Sequence, residues 1–173
     1  MGDLLMIRNI KIVFLLFLLG LYGCSVHVTL SGASIDENLK TFSVQYFNNR
    51  AAIINPLLSQ KFTELLKERV MSESRLVLVE GVGDVDFSGE ITGYTIRPLA
   101  IKEDAVSAQS RLTVTVKVRC KNKVDPKKNW ESSFSAYQDY ASERNITEVE
   151  GELTSLIIDQ LTENIFNKSF SDW

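Results

Sequence analysis

The chain has 173 residues, of which 45% are hydrophobic and 24% are charged, and its formal net charge is -3. This length suits one folded domain, and this composition excludes a disordered tail, a collagen-like fibre and a membrane protein with several spans. The slightly acidic balance also argues against a nucleic-acid partner, because proteins that bind nucleic acids usually carry a basic excess.

Residues 1–23 predict a secretory signal peptide. Arg8 and Lys11 precede an apolar stretch at residues 12–21, which is the order of charge and hydrophobicity typical of an export signal. The stretch is much shorter than the ~20 apolar residues that a helix needs to cross a bilayer. We therefore expect a removable targeting segment and no permanent transmembrane anchor.

The sequence Leu21-Tyr22-Gly23-Cys24 resembles a bacterial lipobox, in which the cysteine after a small residue is acylated and becomes the new N-terminus. Tyr22 departs from the small residue that is usual at its position. The resemblance implies a diacylglycerol and a fatty acid on Cys24, and more than one acyl chain makes attachment to a leaflet stable. Ser25 follows, where inner-membrane lipoproteins of enteric bacteria carry Asp, and this favours sorting to the outer membrane, facing the periplasm. The alternative is an ordinary signal peptide that contains a cysteine.

Residues 24–38 predict a lipidated N-terminus and a short polar tether, after which the folded domain begins. Residues 41–47 alternate apolar and polar side chains, the pattern of a half-buried strand. Asn55 followed by Pro56 is typical of a helix start, and apolar residues continue from there at three- and four-residue spacing. The sequence therefore predicts a strand and then a helix that runs from about Pro56 to Met71.

The middle of the chain predicts strands. Residues 76–79 are a short apolar run, and residues 85–96 continue with strand-like residues interrupted by Gly89 and Gly93, which favour bulges. Residues 111–121 alternate without a slip, so that one face of this strand is apolar and the other is polar and basic.

Residues 130–140 predict a further strand, and residues 147–167 predict a long amphipathic helix that opens with a capping box at Thr147. The order strand, helix, strands, helix predicts an α+β two-layer sandwich: two helices pack on one face of a mixed, mainly antiparallel sheet of about four strands. This single domain spans residues 39–173. We expect the other face of the sheet to be polar and available for binding.

No constellation of catalytic residues is present in the sequence. The single histidine, His27, lies three residues from the expected lipid. Cys120 falls on the apolar side of its strand, which is typical of a small buried hydrophobe. Asp84 is interpreted as a turn residue and Asp86 as part of a solvated face, because neither has a partner base or metal ligand. The chain is therefore predicted to be no enzyme and to hold no metal or dissociable cofactor.

Five basic residues lie on the polar side of the alternating strand or in the long connection before it: Arg97, Lys102, Arg111, Lys117 and Arg119. Arg forks and Lys heads held on a strand form charge-assisted hydrogen bonds with phosphates, so these residues predict an anionic ligand. The alternative is a solvated face on which basic side chains protect a sheet edge from unwanted pairing. The sequence leaves both interpretations open.

Several short segments carry a family resemblance through their order along the domain. They are G-A-S-I at 32–35, S-V-Q-Y-F at 43–47, N-P with L-S at 55–59, G-E-I at 89–91 with Tyr94 and Pro98, R-L-T at 111–113 and I-F-N at 165–167. Each segment is weak alone. Together with the lipobox, their order and spacing resemble the lipopolysaccharide-assembly lipoprotein family, LptE, in its Bacteroidetes form.

This resemblance implies a non-enzymatic outer-membrane lipoprotein that sits as a plug inside a large β-barrel, LptD, assists the assembly of the barrel and helps lipopolysaccharide reach the outer leaflet. It also implies two helices on a mixed sheet, a lipopolysaccharide-binding site at the five basic residues, and a loop containing Pro98 against the barrel wall. The lipid on Cys24 would hold the domain at the inner leaflet of the outer membrane. A competing hypothesis is a periplasm-facing lipoprotein that serves as a binding module for another envelope complex.

Overall fold

The computed structural model of the chain describes residues 35–53, 55–99 and 108–171. The expected signal peptide, Cys24 and Lys102 lie outside these described residues. Within them, no helix combines the length and the apolar composition that crossing a bilayer requires. The described residues all belong to one compact unit.

Within the described residues, six strands form one sheet: β1 Thr41–Val44, β2 Asn48–Asn49, β3 Val77–Leu78, β4 Val85–Pro98, β5 Gln109–Asn122 and β6 Trp130–Ala141. The order across the sheet is β3-β1-β4-β5-β6, and β2 pairs with β4. The three long strands pair antiparallel, whereas β1 pairs in parallel with β3 and β4, and β2 in parallel with β4. The mixed sheet is confirmed, with six strands in place of about four. The apolar run predicted at residues 76–79 contains β3, whereas β2 has only two residues and is too short to show a period of two.

Two long helices cover one face of this sheet: α1 Leu58–Glu73 and α2 Ile146–Phe170. The first helix contacts β1, β2 and β3, the second contacts β5 and β6, and the two helices contact each other. This arrangement confirms the predicted α+β two-layer architecture.

The two helices start two residues after and one residue before their predicted positions, respectively. The Asn55 side chain accepts a hydrogen bond from the Leu57 backbone N–H at 3.0 Å, so it shapes the turn that precedes α1 and does not cap the helix directly. At α2, Asn145 is the cap, and its side chain accepts from the Thr147 backbone N–H at 3.1 Å. The predicted capping box at Thr147 is therefore wrong, because a better capping residue stands two positions earlier.

The inner face of the sheet is apolar because β5 alternates strictly. Its residues Leu112, Val114, Val116 and Val118 are fully buried, and Cys120 is 3% exposed. Burial raises the pKa of the Cys120 thiol to about 12. The thiol therefore stays protonated at neutral pH, as expected for a small buried hydrophobe.

The two glycines of β4 have different structural roles. The register between β4 and β5 shifts between Ile91 and Gly93, so the bulge predicted at Gly93 is confirmed. Gly89 is regularly paired, and the bulge predicted there is wrong. A Cβ atom on Gly89 would lie 2.0 Å from the Lys117 backbone oxygen and 2.7 Å from the ring of Phe47. Gly89 is therefore required by the close approach of β4 to these groups.

Candidate functional site

The face of β4, β5 and β6 that lies opposite the two helices, called the outer face below, carries four of the five basic residues predicted from the sequence. Arg111, Lys117 and Arg119 alternate with the buried residues of β5 and therefore point away from the helices. Thr113 and Thr115 lie between them in the same row. The structure thus brings together three of the five predicted basic residues on one strand.

Glu131 of β6 holds two of these basic side chains. Lys117 Nζ lies 2.7 Å from Glu131 Oε1, whereas Arg119 donates from Nε to Oε2 at 2.7 Å and its Nη2 lies 2.7 Å from the same oxygen. The hydrogen bonds from Lys117 and Arg119 lower the pKa of the Glu131 carboxyl. All three side chains are between 37% and 54% exposed, so these pairs are screened by solvent and add little to the stability of the fold.

A second ion pair forms eight residues further along β6. Arg111 donates from Nε to Asp139 Oδ1 at 2.7 Å and from Nη2 to Oδ2 at 2.9 Å, a bidentate arrangement. The Arg111 guanidinium carbon also lies 3.6 Å from the centroid of the Tyr137 ring. The hydrogen bond from Arg111 lowers the pKa of Asp139. The fork of Arg111 is therefore fixed on two sides, by a carboxylate and by an aromatic face.

Arg97 and Pro98 belong to a strand and not to the predicted connection. They are the last two residues of β4, where Arg97 pairs with Arg111 and Pro98 with Ser110. The interpretation of Pro98 as a loop residue is therefore wrong: proline is tolerated at a strand end because it lacks only the N–H donor. Arg97 is exposed, and no carboxylate of the described residues lies within 4 Å of it. Lys102 lies outside the described residues.

A depression of about 330 Å³ lies on the outer face, around the two bases that share one carboxylate. It is lined by Ser88, Gly89, Glu90, Lys117, Arg119 and Glu131. Glu90 stands directly across from Lys117 in the β4–β5 register. The site therefore combines two positive and two negative side chains in a concave surface large enough for a small polar headgroup.

The carboxylates of Asp84 and Asp86 both accept hydrogen bonds from β1 or the residue before it. The Asp84 carboxylate accepts hydrogen bonds from the backbone N–H of Lys40 and from the N–H and hydroxyl of Thr41, at 2.8 to 3.1 Å. The hydrogen bonds from Thr41 and Lys40 lower the pKa of Asp84. Asp86 is only 7% exposed and accepts from the Ser43 hydroxyl at 2.6 Å, so its interpretation as part of a solvated face is wrong.

A partly buried polar cluster connects β4 to the starts of both helices. The Tyr94 hydroxyl donates to Glu150 Oε1, and Asn55 Nδ2 donates to the same oxygen at 2.9 Å. Burial, followed by the neighbouring Glu150 carboxylate, raises the pKa of Tyr94. These contacts are structural, and among the described residues no group of three side chains is arranged to hold a metal ion.

Comparisons with known proteins identify the family and the fold. The model of the LptE family, described as lipopolysaccharide-assembly, matches residues 39–169. A minor lipoprotein from Acinetobacter baumannii is 16% identical with a TM-score of 0.50, over 75% of this chain and 91% of that one. A hypothetical protein from Chlamydia trachomatis is 12% identical with a TM-score of 0.54, over 78% of this chain and 99% of that one. At these identities the two structures share the fold alone. Among curated proteins, none matches the sequence significantly.

Proposed function

The chain belongs to the LptE lipopolysaccharide-assembly family, and on that premise we propose that it is an outer-membrane lipoprotein that plugs an LptD-like β-barrel. In this role it assists the assembly of the barrel and helps deliver lipopolysaccharide to the outer leaflet. It acts without catalysis, as a binding and scaffolding protein.

The observation that carries this proposal is the extent of the family match. It takes in all six strands and both helices apart from the last residue of α2. The match therefore concerns the whole described fold and not one local motif. A fold alone does not define a function, so the surface chemistry has to agree as well.

The basic residues of the outer face fit the chemistry of lipopolysaccharide. Lipopolysaccharide is an anionic amphiphile whose phosphates are hydrogen-bond acceptors, and Arg97, Arg111, Lys117 and Arg119 present donors on adjacent strands. Charge-assisted hydrogen bonds of this type are about twice as strong as neutral ones. Contact with the phosphates would orient the lipid on the protein, while its acyl chains stay in the membrane.

Attachment to the membrane rests on Cys24 in this proposal. Each buried methylene of an acyl chain contributes about 0.8 kcal/mol, so several chains hold a soluble domain to a leaflet. The anchor places the domain at the inner leaflet of the outer membrane, where it meets the periplasmic side of the barrel. Contacts with the barrel itself then come mainly from packing and from excluded water.

Copurification tests the proposal. The full-length chain, tagged after Trp173, is extracted from the native outer membrane in mild detergent, and its partners are identified by mass spectrometry. We expect a large β-barrel in stoichiometric amount that separates only on harsh denaturation. The matched control is Cys24→Ala, which removes the proposed lipid and should be held less firmly in the membrane fraction without losing the fold.

Recovery of the chain alone, or with inner-membrane proteins, would contradict the plug function. That result would favour the competing hypothesis, a periplasm-facing binding module for another envelope complex.

A further inference from the structure

Two acidic side chains of β6 form ion pairs with the basic side chains that β5 presents on the outer face. Glu131 accepts from both Lys117 and Arg119, and Asp139 accepts two hydrogen bonds from Arg111. Neither carboxylate belongs to the core, because both point to the solvent side of the sheet with side-chain exposures of 37% and 30%. Each carboxylate is an internal anion that sits where an external anion would bind.

Resting on the proposed function, we propose that Glu131 and Asp139 set the ligand specificity of the outer face by competing with the anionic ligand for the same donors. A ligand phosphate has to displace the carboxylate of Glu131 or Asp139 from the basic side chains. Because the carboxylate belongs to the same chain, it competes at an effective concentration on the order of millimolar. A headgroup with one phosphate therefore competes poorly. A headgroup or headgroup array with several phosphates replaces several carboxylate contacts together.

The spacing of the two ion-pair clusters supports this selection. Arg111 and Lys117 lie six residues apart in one row of β5, which corresponds to roughly 20 Å at about 3.3 Å per residue. An isolated phosphate cannot contact both clusters, whereas an extended phosphorylated surface can. Arg97, paired directly with Arg111, adds positive charge at one end, and the depression of about 330 Å³ lies at the other.

The experiment compares the wild-type chain with Glu131→Gln and with Asp139→Asn. All are full-length, lipidated and purified in the same detergent. Binding is measured to lipopolysaccharide and, separately, to detergent micelles that carry fewer than one phosphatidylglycerol molecule each on average, so that each micelle presents a single phosphate. The matched control is Glu64→Gln, which removes a carboxylate from an exposed ion pair with Lys67 on α1, on the opposite side of the sheet. This control changes the net charge by the same amount.

We expect each β6 variant to bind lipopolysaccharide about 3- to 10-fold more tightly than the wild type, because a competing charge is removed. Binding to phosphatidylglycerol should rise by a larger factor, so that the preference for lipopolysaccharide falls. Glu64→Gln should leave both affinities within about twofold of the wild type. Thermal melts establish that the variants fold, and because the two carboxylates belong to separate ion pairs, either variant alone carries the test.

Affinities equal to those of the wild type overturn the inference, and so does a gain that Glu64→Gln shares or one that leaves the preference unchanged. The failure of the proposed function is distinguishable. If the wild type binds lipopolysaccharide in a salt-dependent manner and the variants merely equal it, only the competition is wrong. If none of the four proteins binds lipopolysaccharide, both the competition and the proposed lipid contact are wrong.

Discussion

Arg119 of β5 and Glu131 of β6 stand directly opposite each other in the antiparallel register, and the guanidinium donates from Nε to one carboxylate oxygen while its Nη2 lies 2.7 Å from that oxygen. Lys117 binds the other oxygen of that carboxylate. The positive charge of the outer face is therefore partly neutralised from within the protein. Under the proposed competition, this relationship sets how strongly the face holds an external anion.

Reversing the charge of two basic residues should remove the lipopolysaccharide contact. The double variant Arg111→Glu with Lys117→Glu places like charges beside Asp139 and Glu131, so we expect at least a tenfold loss of affinity and a weaker dependence on salt. Titration with lipopolysaccharide at low and high ionic strength measures both quantities. The matched control is Lys67→Glu on α1, which should bind as the wild type does. Unchanged affinity and salt dependence in the double variant would show that this face does not bind the lipid.

Substitution by alanine should lower the free energy of unfolding at Gly89 of β4 and raise it at Gly151 of α2. Gly89→Ala forces a methyl group against the Lys117 backbone oxygen and the Phe47 ring, so we expect a loss of several kcal/mol or failure to fold. Gly151→Ala meets nothing within 4 Å and should stabilise α2 by about 0.5 to 1 kcal/mol. Chemical denaturation measures both changes. Equal stabilities for the two variants would contradict the close packing at Gly89.

The hydroxyl of Tyr94 should contribute measurably to stability. Tyr94→Phe leaves the Glu150 carboxylate without one of its donors, and a hydrogen bond to a charged group contributes about 1.5 to 3 kcal/mol. We expect a fall of that order in the free energy of unfolding. Tyr137→Phe is the matched control, because the Tyr137 ring is 49% exposed, and it should change stability by less than about 0.5 kcal/mol. Equal effects from the two substitutions would argue against a structural role for the Tyr94 contact.

The carboxyl of Asp84 should make stability depend on pH in the acid range. Its folded-state pKa lies below the ordinary value of 3.8, so the unfolded chain takes up the proton first as pH falls. The stability that Asp84 contributes is therefore fully present above about pH 5 and is lost as pH falls through the folded-state pKa. Urea unfolding between pH 2 and 6 should show a smaller slope for Asp84→Asn than for the wild type, and parallel curves would contradict this assignment.

The fold was predictable where one residue pattern dominates. The strict alternation from Arg111 to Lys121 defines both faces of β5, and the apolar stripe of α2 defines its buried side. Strand β3 lies within the apolar run predicted at residues 76–79, whereas β2 was not predictable, because this two-residue strand forms through pairing with β4 and not through a local pattern. The buried position of Asp86 depends on the Ser43 hydroxyl across the sheet, which no local pattern reveals.

The sequence predicted the basic residues of the candidate site but not their acidic partners. The outward positions of Arg111, Lys117 and Arg119 follow from the alternation, but their acidic partners were missed. A signal was present: once Cys120 is paired with Trp130, the antiparallel register places Glu131 opposite Arg119 and, further along, Asp139 opposite Arg111. The alternation of both strands puts these four side chains on one face, where opposite charges favour this register.

The most direct test of the central claim is depletion of the chain in the source bacterium, followed by measurement of lipopolysaccharide in the outer leaflet. We expect surface lipopolysaccharide to fall and new lipopolysaccharide to accumulate inside the cell, together with less correctly assembled LptD-like barrel. Expression of the wild-type chain should restore all three. If surface lipopolysaccharide and barrel assembly remained normal after complete depletion, the chain would have no part in lipopolysaccharide export in that cell, and the proposed function would be wrong.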